Sequence, residues 1–135
     1  MAGGRRRERN RVNVFEIDET YVFKHYFTGD DVFARLRPYY NFHQYRFEVP
    51  PDEFEDLQSF LAGEGYGLVL VDTKEEFVVT VKQYTAHPDR IFERSVMQRS
   101  TDGYNFFLLT DGEAVDRAID DGARRVESVP VESPF

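Results

Sequence analysis

Three histidines, at positions 25, 43 and 87, are the residues of this chain best suited to acid-base or metal chemistry. Imidazole titrates near neutrality and ligates metals through either ring nitrogen. His25 falls in phase with Tyr21, Phe23 and Phe27, and His43 with Tyr45 and Phe47. Placed on adjacent strands beside a carboxylate, these two would make a metal-binding site or a small enzyme's site. An imidazole in phase with rings on a strand is also the ordinary setting of a packed, hydrogen-bonded core residue. The expectation is therefore no catalytic residue, no metal and no cofactor. Cysteine is absent, which excludes thiolate nucleophiles, disulfides and Cys-based zinc sites together.

Paired carboxylates could hold a divalent ion or work as acid and base. The Asp-Gly stretches that could supply them are Thr101-Asp102-Gly103, Thr110-Asp111-Gly112 and Asp120-Asp121-Gly122, of which the last alone holds two adjacent carboxylates. Each has a structural use: a hairpin turn, a helix cap and a helix end. Glycines 63, 65 and 67 do not make a phosphate loop, because such loops precede a helix and these follow one. His87-Pro88-Asp89 is similar to the tripeptide of J-domain co-chaperones, with Tyr84 three residues upstream. That tripeptide lies between two helices, whereas residues 77–81 (Phe-Val-Val-Thr-Val) read as a strand, so a proline turn accounts for it.

Binding chemistry has two carriers. Arg5, Arg6, Arg7, Arg9 and Arg11 face one acid, Glu8, giving residues 1–11 a charge of +4 and leaving −12 on the rest of a chain whose net charge is −8. A basic arm of this kind suits nucleic acid or another polyanion. The second carrier is the aromatic crowd of the N-terminal third, where Tyr39, Tyr40 and Phe42 follow Pro38 in an order that no single period buries. Rings left outside a core stack bases or seal a subunit interface. These eight residues are the expected contact set.

The elements that position them begin with residues 12–27, read as two strands around Asp18-Glu19-Thr20, then a short helix from Asp30 that Pro38 ends. Residues 41–49 alternate as a strand. A helix follows with Pro51 at its start, Phe54, Leu57, Phe60 and Leu61 as its stripe, and Gly63 placed to end it. Residues 68–71 (Leu-Val-Leu-Val) read as a strand covered on both faces. A strand follows from Phe77 to about Tyr84, and after a loop another from about Phe92. Thr101-Asp102-Gly103 turns the chain into a strand from Tyr104, Asp111 caps a helix ending near Gly122, and a last strand covers 124–129.

Two strand-helix-strand stretches, 45–71 and 104–129, flank a hairpin-rich centre. With right-handed crossovers this pattern predicts an α+β ferredoxin-like sandwich, a mainly antiparallel sheet with helices on one face, extended by the N-terminal hairpin and short helix. The expected organisation is a disordered basic tail over 1–11, a single α+β domain over 12–129 and a frayed C-terminus over 130–135. Leu, Ile, Val and Phe together number 38, enough for a folded core. No apolar run approaches the length of a membrane helix and no secretory pattern opens the chain, so the expectation is a cytoplasmic protein with no membrane partner. Fourteen arginines against three lysines, on an acidic background, resemble the composition of proteins from salt-loving archaea, where concentrated salt screens dense carboxylates. The expected function is a non-enzymatic binding module, nucleic-acid-associated, with a protein-interaction or homodimerisation domain as the alternative.

Overall fold

The computed structural model describes residues 10–135. Its contacts divide the chain into two compact units, Met1–Asp72 and Thr73–Phe135. Among the described residues the fold is α+β, with three α-helices and two sheets, one mixed and five-stranded, the other antiparallel and four-stranded. No helix among them is long and apolar enough to cross a membrane.

In the first unit, β1 (Arg11–Ile17) buries Val12, Val14, Phe15 and Ile17 and pairs antiparallel with β2 (Thr20–Phe23). Asp18 and Glu19 both take positive φ, 51° and 66°, so the turn twists with the strands it joins. Helix α1 (Asp30–Leu36) buries Val32 and Leu36, one turn apart, and Pro38 falls within the 3-10 turn Arg37–Tyr39 that follows it. Then come β3 (Tyr40–Asn41) and β4 (Arg46–Val49), helix α2 (Pro51–Gly63), and β5 (Gly67–Leu70). The sheet order is β3-β4-β2-β1-β5, with β5 parallel to β1 and the other pairs antiparallel. Phe54, Leu57 and Leu61 of α2 share one core with Val12, Val14, Phe23, Phe47 and Leu68 of the strands.

The helix ends at Gly63, as its position suggests, and Gly65 closes the turn beyond it. Gly65 takes φ +94°, its N–H donates to the Ala62 carbonyl, and the Tyr66 N–H reaches back to the Leu61 carbonyl at 2.9 Å. This pair of bonds closes the orphan carbonyls of the last turn and needs a residue without Cβ strain at position 65.

In the second unit, a 3-10 turn leads into β6 (Val78–Lys82), and after a strandless stretch come β7 (Ser95–Thr101) and β8 (Tyr104–Leu109), joined through Asp102 and Gly103 at positive φ. The Asp111 carboxylate accepts from the Ala114 N–H at 2.8 Å and so starts α3 (Gly112–Asp120). The strand β9 (Arg124–Arg125) closes the order β7-β8-β6-β9. Ala114, Val115 and Ala118 pack with Val79, Val81, Phe107 and Leu109.

Several sequence expectations are corrected here. The strands form two sheets where one was expected: those around α2 bond only to β1, β2 and β3, and those around α3 only to β6 and β7. Nor does the N-terminal hairpin extend a sheet, because β1 and β2 lie in the middle of theirs. The alternation over 41–49 is broken: the Asn41 Oδ1 accepts the backbone N–H groups of His43 and Gln44, at 2.9 and 3.0 Å, and folds the chain into a turn that Tyr45 leaves with φ +57°. The strand expected to be covered on both faces is the edge strand β5, whose Leu70 is exposed.

Candidate functional site: an aromatic recess

Residues 24–29 leave the sheet after Phe23 and enter α1 through Gly29, whose φ of +103° a side chain would resist. Tyr66 holds this segment in place. Its hydroxyl oxygen accepts the Thr28 backbone N–H at 3.1 Å and shares a second hydrogen bond of 3.1 Å with the Thr28 hydroxyl. The glycine end of α2 that presents Tyr66 therefore also fixes the loop.

The loop, helix α1 and the strands β3 and β4 enclose an open recess of about 440 Å³. Residues 25–30 supply one wall, Phe33 the second, and Tyr40 with Phe47 the third. Tyr26 is 85% exposed and Phe33 64% exposed, while Phe27 and Phe47 are buried beneath. Behind the recess the rings lock edge to face: Phe27 meets Phe47 at 5.5 Å and 81°, and His25 meets Phe27 at 4.9 Å and 66°. Tyr40 tilts against Phe47 at 4.9 Å. Such crossed rings turn their negative faces and positive edges in several directions rather than offering one flat platform. Among the described residues, Asp30 is the carboxylate in the lining, and no lysine or arginine joins it.

The expected contact residues fall in different places. Arg5, Arg6, Arg7 and Arg9 lie outside the described residues. Arg11 begins β1, exposed, with its Nε donating to the Asn13 side chain. Tyr39 turns to α2 instead: its hydroxyl donates to Glu53 Oε1 at 2.7 Å. That hydrogen bond, aided by burial, raises the Tyr39 pKa above the ordinary phenol value. Tyr40 lines the recess, and Phe42, 65% exposed, sits edge-on to Tyr40 at 4.9 Å.

The histidines differ equally. His25 is in the recess wall, against Phe27 and Tyr66. His43 is exposed in the turn that Asn41 organises. His87 packs on Phe92 and Phe107 in the second unit, in the loop between β6 and β7. Among the described residues no three His, Asp or Glu side chains are grouped to hold a metal ion.

Sequence reasoning passed over Tyr26, Phe33 and Asp30. Tyr26 falls in the stretch that reads as a strand to residue 27, but the strand stops at Phe23, and the short helix from Asp30 buries Val32 and Leu36 and leaves Phe33 exposed. The signal for Phe33 was present: positions 32 and 36 define the stripe by themselves, and a ring at 33 lies about 100° off it.

The second unit's recesses are of another kind. One of about 460 Å³ lies beside β6 and β9 with Lys82, Thr85, Arg124 and Ser128 in its lining. Another, of about 390 Å³, is lined by three arginines and three aspartates, among them Arg94 and Asp120. Compared with family models, curated proteins and solved structures, the chain matches none.

Proposed function

We propose that this chain is a small non-enzymatic binding module that holds its ligand in the aromatic recess of the first unit. The observation that carries the reading is the exposure of Tyr26 and Phe33 around Tyr40, beside a loop anchored by Tyr66. Exposed rings converging on one concavity give a ligand dispersion contacts that a scattered surface ring does not. An NMR screen with small planar and cationic fragments tests it, reading the ring signals of Tyr26, Phe33 and Tyr40. A saturable shift of all three is expected; a screen that leaves every one of them unmoved overturns the reading.

A second partner class has its own support. The arginines of residues 5–11 and the exposed Phe42 ring beside Tyr40 favour single-stranded nucleic acid, phosphates meeting guanidinium groups and bases meeting rings. Stacking survives salt that weakens phosphate contacts, as the acidic, lysine-poor composition of a salt-adapted cytoplasmic protein requires. A labelled single strand that fails to shift at any salt concentration overturns this. Self-association is the competing use of Phe42 and Tyr45, both exposed beside the two-residue edge strand β3; light scattering that gives a strict monomer removes it. At the level of fold, β8, α3 and β9 form a strand-helix-strand unit with β6 between its two parallel strands, and this split unit is what supports a ferredoxin-like kinship.

A further inference from the structure

We infer that the recess takes a methylated ammonium cation, a head of the choline or trimethyl-lysine type; the inference rests on the reading of the recess as the ligand site. Three observations point the same way. The rings stand crossed, Phe27 against Phe47 at 81° and Tyr40 against Phe47 at 59°, which suits a round cation met from several sides better than a flat base needing parallel faces. Among the described residues the lining carries the Asp30 carboxylate and no lysine or arginine. Asp31 follows on the same exposed first turn, and the chain as a whole is at −8.

A quaternary ammonium spreads its charge over methyl groups and has no N–H to satisfy. It therefore gains from ring faces and a nearby carboxylate without needing donors or acceptors at fixed angles. An anionic ligand is repelled here by the Asp30 carboxylate, the carboxylate among the described lining residues. Asp30 is exposed on the first turn of α1, where its side chain meets solvent.

The test is a titration of the full chain with four probes: choline, its uncharged isostere 3,3-dimethylbutan-1-ol, trimethyl-lysine in a short peptide, and glycine betaine. The readouts are calorimetry and the ring signals of Tyr26, Phe33 and Tyr40. Choline is expected to bind roughly tenfold more tightly than the uncharged isostere. Asp30→Asn should weaken choline several-fold and leave the isostere unchanged. Glycine betaine, whose own carboxylate would sit near Asp30, should bind more weakly than choline. A tighter trimethyl-lysine peptide would place the head on a modified side chain, and tighter choline would place it on a free small molecule. Equal binding of choline and the isostere would overturn the cation and leave the recess standing as a ligand site. Shifts of these rings by none of the four probes would overturn the cation, and joined to a blank fragment screen would remove the recess as well. Asp30 is exposed on the first turn of α1, so the variant is expected to fold, and the unchanged isostere titration checks that it has.

Discussion

Both units send a strand into a helix and bring the chain back parallel to that strand with other strands between. In the first, β4 and β5 flank β2 and β1; in the second, β8 and β9 flank β6 alone. Both helices also end alike. Gly65 and Gly122 stand at φ +94° and +110°, and Tyr66 and Ala123 each donate back to the carbonyl five residues earlier, Leu61 and Ala118, at 2.9 Å. What differs is the residue that follows the glycine. Ala123 only fills core, whereas Tyr66 reaches to Thr28 and fixes the loop that walls the recess. The same stop signal is scaffold in one unit and part of a site in the other, so local sequence grammar marks where the chain turns and says nothing of what the turn serves.

The largest effects should come from the two cores, tested with Phe23→Ala and Phe107→Ala. Both side chains are fully buried, and each truncation should cost about 3–5 kcal/mol in urea denaturation. The units then part ways. Phe23 packs on Phe27 and Phe47, which line the recess, so its loss should also displace the Tyr26 and Phe33 ring signals at low temperature, where the variant remains folded. Phe107 packs on His87 and Phe92, and its loss should leave those signals in place. Ring shifts of equal size in both variants would erase the distinction.

Gly65→Ala and Gly122→Ala sharpen the comparison at smaller scale. Among the described residues, an added Cβ meets only Asn10 Nδ2 at 3.9 Å in the first case and nothing within 4 Å in the second. The penalty is therefore backbone strain alone, about 1–2 kcal/mol for each. Matched losses of stability with unmatched losses of ligand binding, confined to Gly65→Ala, are expected. A binding defect of equal size in Gly122→Ala would mean that the helix end reports general stability and not the loop.

The fold was legible wherever one residue type has one local use. Asp111 caps its helix and Asp102-Gly103 turns its hairpin, as their types require. Legibility failed where a side chain competes for backbone groups, as Asn41 does, and where partner choice among strands is decided by long-range packing. The strands β4 and β5 were plain in the sequence, yet nothing near them says that β2 and β1 lie between. The site was half legible for a related reason. Tyr40 and Phe42 stand out because no period buries them, but Tyr26 follows on from strand-like residues, and only the structure has the chain leave the sheet at Phe23.

The smallest effect expected is one of pH, at Tyr39 in the first unit. The Tyr39 hydroxyl donates to Glu53 and cannot do so once ionised, so the folded chain holds that proton more firmly than the unfolded one and its pKa is raised. A raised folded pKa means the stabilisation is complete below the unfolded value near 10 and is lost as pH climbs through the folded value. Arg35 opposes this by favouring the phenolate, and Tyr39 is only partly buried, so the effect is small and screened by salt. Urea midpoints measured from about pH 9 to about pH 12 should fall more steeply for the wild type than for Tyr39→Phe, which has no proton to lose. Glu53→Gln should lessen the excess slope by removing the carboxylate that holds the phenol. Parallel curves for wild type and Tyr39→Phe would mean that Tyr39 is not tied to α2 in solution, and would return it to the exposed rings around Tyr40 as a contact residue.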